Sequence, residues 1–374
     1  MTGQTDAFVE TDGTDLVVDG APFHFFGGNH PQLRGQPTAK MDAWIDQWTT
    51  IAPALNTLRA TAFGTAESGG TPALQPAPDE WNEAAFRRLD DLVARCGEAG
   101  IRLVLPLTNY WDWQGGIPKY VEWADDAETK ADFYTSERCQ GWYRDHIETV
   151  LTRENTVTGV EYRNDPAIAM WQLGNEPRPG NFAHEEDTDE EGFDRAAEIF
   201  VEWCGDTAEF IDSLAPDQLV TTGMDRVPGN DTGATEWYAD AHAHEAIDVW
   251  STHVWAAPHH ADVGIDGGEA WIANHTASAD ELDMPAYVGE MGWDVPIDPD
   301  ERTDADLRTR ADALSAWFAQ IDAVDMAGGL VWDLRHEAEC PLGWNEFAVY
   351  PQEEYTPEAI AEAGELVTGG GGDI

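Results

Sequence analysis

Two glutamates, each placed at the end of an apolar run, are the residues of this sequence best suited to chemistry. Glu176 ends 168-IAMWQLGNE-176 and is followed by Pro177, and Glu290 lies in 286-AYVGEMG-292. Paired carboxyl groups cleave a glycosidic bond when one protonates the leaving oxygen and the other attacks the anomeric carbon. Either glutamate alone is better explained as a helix cap or an arginine partner, but the two together favour catalysis.

An arginine, a histidine and two tryptophans lie where other predicted strands end, within or at the end of apolar runs, and supply the partners of such a site. The guanidinium of Arg59 is suited to keep a carboxylate ionised and oriented, and an ordinary barrel salt bridge is the weaker alternative. His253, Trp255 and Trp332 have the types that line a sugar site. Because a tryptophan face stacks on a pyranose ring, these positions are candidates, although core packing accounts for most of the 17 Trp residues.

Two further tryptophans, Trp111 and Trp113, lie in the long segment 110–135 that follows the third apolar run. Their position in a connection rather than in a run favours an exposed sugar platform over a place in the core.

Eight apolar runs alternate with amphipathic helical patterns along the chain. Near-continuous apolar strands are typical of a parallel sheet buried on both faces, and eight of them in one domain predict an α/β protein with a (β/α)8 TIM barrel. An open doubly wound sheet is the weaker alternative because no GxGxxG follows the first run. The runs are 23–29, 55–63, 101–109, 168–176, 219–225, 249–255, 286–292 and 328–334.

The predicted barrel explains why a buried strand runs into Asn175, Glu176 and Pro177. Barrel chemistry lies at the carboxyl ends of the strands, and proline ends a strand because it cannot donate to the ladder. We expect residues 1–22 to form a short N-terminal β-hairpin packed on the barrel, 23–367 the catalytic barrel, and 368–374 a Gly-rich tail or the start of a linker.

The charge of the chain is extreme, with 72 Asp and Glu against 20 Lys and Arg and a net charge of −52. Such a surface repels nucleic acid and anionic membranes, so neither is expected as a partner. A solvated acidic surface is one interpretation. We favour adaptation to very high salt and a halophilic source, because salt screens the self-repulsion of the carboxylates.

The four cysteines, Cys96, Cys139, Cys204 and Cys340, form no CxxC motif, so a zinc site is not expected and their pairing stays open. No apolar span of 18 residues predicts a membrane helix. The opening MTGQTDAFVETDG has no basic and apolar leader, so we expect a signal peptide to be absent or already removed.

The sequence resembles glycoside hydrolase family 5, and within it the endo-β-1,4-mannanases. Three segments carry the match: 107-LTNYWDWQGGIPKYVEWA-124, 133-FYTSERCQGWYRDHIETVLTRENTVTGVEYRNDPAIAMWQLGNEPR-178 and 214-LAPDQLVTTG-223. The resemblance spans most of residues 22–350. It implies Glu176 as general acid/base and Glu290 as nucleophile.

The resemblance also implies roles for the residues around the two carboxyls. Asn175 would hydrogen-bond the 2-hydroxyl of the sugar being cleaved, and Arg59 would support Glu290. The remaining implied residues bind substrate: His253 lines the cleavage subsite, Trp332 forms its floor, and Arg178 reaches the leaving-group side.

Two positions depart from the family pattern. Trp255 stands where the family usually has a tyrosine near the nucleophile, which puts that contact in doubt. Gly174 stands where the family often has alanine before Asn-Glu-Pro, which leaves a more flexible backbone.

The resulting prediction is retaining, endo-acting hydrolysis of β-1,4-mannan or manno-oligosaccharides by a monomer that needs no metal or other cofactor. A β-1,4-glucanase or exo-acting β-mannosidase of the same fold, and a non-catalytic sugar-binding barrel, stay open. Because polymeric mannan cannot enter a cell, we expect an extracellular protein, with a cytoplasmic one as the alternative.

A metal-dependent barrel hydrolase is a further alternative, since His242, His244 and Glu245 form an HAHE cluster. It is disfavoured because in that class the His-x-His pair ends the first strand, whereas here it precedes the sixth.

Overall fold

A small antiparallel sheet comes first in the computed structural model, which describes residues 7–180, 190–225, 236–256, 263–298, 301–336 and 346–369. Strands β1 (Glu10–Asp12), β2 (Asp15–Val18) and β3 (Ala21–Phe23) pair in sequence order. Leu16 packs with residues at the starts of barrel strands, such as Phe25 and Leu219. The small sheet therefore covers the end of the barrel opposite the carboxyl ends of its strands.

The eight apolar runs form one sheet of eight parallel strands, hydrogen-bonded in the order β8-β7-β6-β5-β4-β11-β10-β9. This order, with the first barrel strand beside the last, is that of a barrel and not of a doubly wound sheet. The strands are β4 (Phe25–Asn29), β5 (Thr57–Arg59), β6 (Arg102–Pro106), β7 (Ile168–Gln172), β8 (Leu219–Thr221), β9 (Trp250–Val254), β10 (Ala286–Met291) and β11 (Gly328–Val331).

Side chains complete the barrel between β8 and β9, where the strand ladder is interrupted. The carboxylate of Asp248 accepts from the backbone N–H of Val220 at 2.7 Å, and the hydroxyl of Thr221 donates to the Val249 carbonyl at 2.6 Å. The predicted (β/α)8 TIM barrel is thereby confirmed.

Helices follow the strands and cover the outside of the sheet. In the second of them, Phe86, Leu89 and Val93 recur at helical spacing and are buried, and the Asn82 side chain caps the first turn by accepting from Ala85 N–H. The helices are α1 (Thr38–Ile51), α2 (Glu83–Glu98), α3 (Ile117–Trp123), α4 (Lys130–Phe133), α5 (Glu137–Leu151), α6 (Glu190–Leu214), α7 (Glu236–His242), α8 (Gly264–Asp280), α9 (Asp304–Ala323) and α10 (Thr356–Val367).

Most of the core lies between the sheet and these helices, and it holds several fully buried tryptophans, among them Trp44, Trp171 and Trp250. Three cysteines, Cys96, Cys139 and Cys204, are free and buried, and Cys340 lies outside the described residues. Within the described part of the chain, none of the helices has the length and apolar character needed to cross a bilayer.

Candidate active site

The backbone after β7 is held on both sides where it presents Asn175 and Glu176. The N–H of Asn175 donates to the Thr108 carbonyl at 2.8 Å, and the N–H of Glu176 donates to the Gly223 carbonyl at 2.9 Å. Glu176 has a φ of 53°, a left-handed conformation that is uncommon for a residue with a side chain. The neighbouring strands therefore impose the conformation that turns the glutamate into the mouth of the barrel.

Gly223 allows this close approach because it also has a left-handed φ, of 74°, and lacks a side chain. A methyl group there would lie 2.0 Å from the carbonyl oxygen of Gly174. At Gly174 itself, a methyl group would lie 3.0 Å from the methyl of Thr108. The Thr108 methyl therefore occupies part of the space that an alanine at Gly174 would need.

We expect Gly223→Ala to abolish activity and lower the melting temperature, because the added methyl must displace the backbone that carries Glu176. Gly174→Ala is the matched control, and a shift of a few tenths of an ångström accommodates it. Activity and thermal melts of both variants check this. Equal behaviour of the two variants would contradict the close approach described here.

The two glutamates lie together over the mouth of the barrel. One carboxylate oxygen of Glu176, one of Glu290 and the Nδ1 of His253 all lie within 4.8 Å of one another. Both side chains are buried, with 8% of Glu176 and 2% of Glu290 exposed. Carboxylate oxygens at most 4.8 Å apart fit the roughly 5–5.5 Å between the carboxyl groups of retaining glycosidases better than the roughly 6.5–9.5 Å of inverting ones.

Glu290 is held by Arg59, whose Nη1 lies 2.5 Å from Oε1 of the glutamate. Arg59 is fixed in turn by three side-chain oxygens, two from β7 and the residues just after it and one from the end of β4. Its Nε donates to Gln172 at 2.7 Å, its Nη2 to Asn175 at 2.7 Å and its Nη1 to Asn29 at 3.1 Å. A guanidinium anchored at every nitrogen gives Glu290 a fixed direction and a permanent positive neighbour.

Glu176 has two partners. The indole Nε1–H of Trp111 donates to its Oε2 at 2.5 Å, and Nδ1 of His253 lies 2.7 Å from its Oε1. The same Nδ1 lies 3.5 Å from Oε2 of Glu290. His253 is therefore placed between the two carboxyls.

Burial and partners shift the pKa values of all three groups. Burial raises the pKa of Glu290 well above its usual value against the opposing charge of Arg59, and the charge of Glu176 raises it further. Burial also raises the pKa of Glu176, but the hydrogen bond and charge of His253, with the charge of Arg178 and the bond from Trp111, lower it to about 2. Burial lowers the pKa of His253 to about 4. When His253 donates to Glu176, the pKa of Glu176 is therefore the lower of the two and that of Glu290 the higher. An acid at Glu176 requires the opposite order.

A cleft on the Arg59 side of the carboxyls contains two of the predicted aromatic residues. Trp113 and Trp332 line it together with Asn29, Arg59 and Asn175. Trp113 also packs against Phe63 with ring centres 5.5 Å apart, and the Trp332–Asp333 peptide bond is cis.

Trp255, the residue that departs from the family pattern, packs edge-on against two rings. The ring centre of Trp332 is 6.1 Å away and that of Phe347 is 4.8 Å away. Trp255 therefore packs beside Trp332.

Arg178 lies on the other side of Glu176. It is paired with the buried carboxylate of Asp225 through Nε, at 3.2 Å from Oδ1, and through Nη2. Its guanidinium carbon lies 4.9 Å from the centre of the Trp111 ring. Trp111 and Trp113 are both half-buried and not exposed as expected, because Trp111 bonds Glu176 and Trp113 lies in the cleft.

The histidine cluster of the metal-hydrolase alternative does not form one site. His242 is buried, donates from Nδ1 to the Tyr238 carbonyl at 2.9 Å and stacks on Trp250. His244 points elsewhere, with Nε2 3.4 Å from Glu209. Among the residues that the structure describes, the donor atoms that do converge are those of Glu176, His253 and Glu290, and an oxygen of each carboxylate is already bonded, to Trp111 and to Arg59.

Several residues of the site were not singled out from the sequence. Three of them end apolar runs, as the chosen glutamates do, so their position was a usable signal: Asn29, Asn109 and Asp225. Gln172, the fourth, lies within a run at the end of β7, where its side chain bridges Arg59 and the hydroxyl of Tyr287.

Comparison with known proteins identifies the family. A family described as GH family 5 beta-mannosidase-like matches residues 6–294. A putative mannan endo-1,4-beta-mannosidase 4 of Arabidopsis thaliana is 28% identical over 96% of this chain and 90% of the relative. A putative mannan endo-1,4-beta-mannosidase 9 of Oryza sativa is 30% identical over 87% of this chain and 81% of the relative.

Among solved structures, the endo-1,4-beta-mannanase from Rhizomucor miehei superposes with a TM-score of 0.78. It is 22% identical, and the match covers 96% of this chain and 99% of that one. At this identity the likeness supports the barrel fold.

Proposed function

The chain belongs to the glycoside hydrolase family 5 beta-mannosidase-like family, and from this premise we propose that it hydrolyses internal β-1,4-mannosidic bonds with retention of configuration. The observation that carries the proposal is the pair of buried carboxyls within 4.8 Å of each other, one of them fixed by Arg59. The names of its plant relatives support mannan as the substrate.

In the proposed mechanism, Glu290 attacks the anomeric carbon and forms a covalent glycosyl-enzyme, while Glu176 protonates the leaving oxygen. Glu176 then removes a proton from water, which releases the product with its original configuration. Arg59 orients the attacking carboxylate and stabilises its charge until the bond forms.

Hydrogen bonding indicates where the proton of the pair resides in the active form. A protonated carboxyl needs an acceptor, and Oε1 of Glu290 faces Arg59, which only donates. Oε1 of Glu176 faces Nδ1 of His253, which accepts when the neutral ring carries its proton on Nε2. We therefore propose that the proton resides on Glu176; in this tautomer the buried Nε2–H of His253 has no acceptor among the described residues.

The residues around the two glutamates suggest which part of the substrate binds on each side of the cleaved bond. In line with the family resemblance, Trp332 would form the floor under the sugar whose bond is cleaved, with Asn175 at its 2-hydroxyl. Arg178 and Trp111, beyond the acid/base carboxyl, would face the leaving sugar.

Activity on purified polysaccharides tests this function. We expect reducing ends to appear from β-1,4-mannan and not from cellulose, with oligosaccharides of several lengths among the early products. Release of mannose alone would favour an exo-acting β-mannosidase, preference for cellulose a glucanase, and binding without turnover a sugar-binding barrel.

We also propose that the acidic surface adapts the enzyme to very high salt. With 72 acidic and 20 basic side chains, self-repulsion opposes the compact state in dilute buffer, and salt screens it. We expect the melting temperature and mannanase activity to rise together between dilute buffer and about 2 M NaCl or KCl, where the Debye length is below about 3 Å. An unchanged melting temperature and full activity without salt would contradict this proposal.

The division of the chain and its location are proposals of the same kind. We propose that residues 23–367 form the catalytic unit with residues 1–22 packed on it, and that the enzyme acts outside the cell, where polymeric mannan is found. Residues 1–6 and 370–374, which include most of the Gly-rich segment, lie outside the described residues.

A further inference from the structure

A chain of three contacts leads from Glu176 to a carboxylate that the mechanism above does not use. Trp111 donates to Glu176 at 2.5 Å, the guanidinium of Arg178 lies on the ring of Trp111 at 4.9 Å, and both oxygens of Asp225 bind Arg178. Each contact fixes the residue before it. Asp225, the last residue of this series of contacts, therefore determines where Trp111, the hydrogen-bond donor to Glu176, lies.

Burial and further contacts hold the residues of this series in place. The side chains of Arg178 and Asp225 are 14% and 6% exposed, and the hydroxyl of Tyr134 donates to the Arg178 carbonyl at 2.7 Å. Trp111 is also bounded by the ring of Tyr110, edge-on at 5.3 Å. A buried ion pair with one partner removed leaves an uncompensated charge, so loss of the Asp225 carboxylate weakens the hold on Arg178 and on the Trp111 ring beneath it.

We propose that Asp225 is a positioning residue for the acid/base carboxyl, acting on Glu176 through Arg178 and Trp111. This inference rests on the proposed function, because it needs Glu176 to act as acid/base. It assigns to Arg178 a role in holding Trp111, besides any contact with the leaving sugar.

The charge of Asp225 has a second consequence for Glu176. Asp225 offsets the positive charge of Arg178, so without it Arg178 stabilises the ionised form of Glu176 and the acid loses its proton at lower pH. In the described part of the chain, the charged and titratable groups that face Glu176, directly or behind a first neighbour, include His253, Glu290, Arg178, Asp225, Arg59, Lys130, Tyr110 and Tyr238. The bonds described above for Glu176, Glu290, His253 and Arg59 do not involve Asp225, so its replacement leaves these four side chains their partners.

The test compares Asp225→Asn with wild type on two substrates in the full chain. With mannopentaose, whose leaving sugar needs protonation, we expect kcat/KM to fall about 10- to 100-fold, part of the roughly 10²–10⁴-fold that general acid catalysis supplies. With 2,4-dinitrophenyl β-mannobioside, whose leaving group needs no proton, we expect a change below about threefold. The basic limb of the mannopentaose pH profile should move down by about one unit.

Asp217→Asn is the matched control, since it removes one acidic charge at the other, exposed end of the same strand; it should match wild type on both substrates. Equal losses on the two substrates would overturn the proposal in favour of a general structural role. A loss on mannopentaose with an unmoved pH profile would overturn it in favour of sugar binding alone, and no loss on either would also overturn it. If wild type cleaves neither substrate, the proposed function itself fails.

Discussion

Replacing Glu290 by alanine is expected to lower kcat on β-1,4-mannan by at least about 10⁴-fold, because no covalent intermediate can form without the attacking carboxylate. The fold should survive, since Arg59 keeps its bonds to Asn29, Gln172 and Asn175. Initial rates on mannan and a thermal melt measure the two effects. Glu290→Gln, which preserves the shape of the side chain, serves as a second variant if the alanine variant melts early.

Azide distinguishes a nucleophile from a residue that merely supports the site. In Glu290→Ala the vacated space admits azide, which should attack an activated β-mannoside directly and give the α-mannosyl azide in a single inversion. A β-azide product, or turnover of mannan within about tenfold of wild type, would remove Glu290 from the role of nucleophile.

Replacing Glu176 by alanine is expected to lower kcat/KM on mannan by about 10²- to 10⁴-fold, the range of general acid catalysis. Its kcat/KM on a dinitrophenyl β-mannoside should stay within about tenfold of wild type, because that leaving group needs no proton. Glycosyl-enzyme should then accumulate, since the general base for the second step is missing. A burst of dinitrophenol followed by a slow steady state is the signature to measure.

Azide again supplies the control, with the opposite outcome. It should restore turnover of Glu176→Ala by attacking the glycosyl-enzyme on its β face, which gives the β-mannosyl azide. An α-azide from Glu176→Ala would mean that the roles of the two glutamates are exchanged. Equal losses of activity on mannan and on the activated substrate would refute the acid/base role of Glu176.

The barrel was predictable because its strands are buried on both faces, so each appears in the sequence as a continuous apolar run. The runs were longer than the strands, as in 55–63 against Thr57–Arg59, because the chain beyond the ladder continues inward as part of the site. The closure between β8 and β9 was not predictable, since it depends on Asp248 and Thr221 meeting across a gap in the ladder.

The position of the two glutamates was predictable for a related reason: parallel strands bring their carboxyl ends to one edge of the sheet. Their partners were predictable in part. Arg59 ends a strand and reaches Glu290 as expected. The contact of Trp111 with Glu176 depends on the path of a long connection, for which no periodic pattern exists, so the sequence suggested an exposed ring instead.

The stereochemistry of the product tests the central proposal most directly. Proton NMR during the first minutes of mannopentaose hydrolysis, before mutarotation, reports which anomer the enzyme releases. With two carboxyls this close together, the new reducing ends should appear first as the β-anomer and equilibrate later. If the α-anomer appears first, Glu176 and Glu290 do not act by double displacement, and the proposed mechanism is wrong.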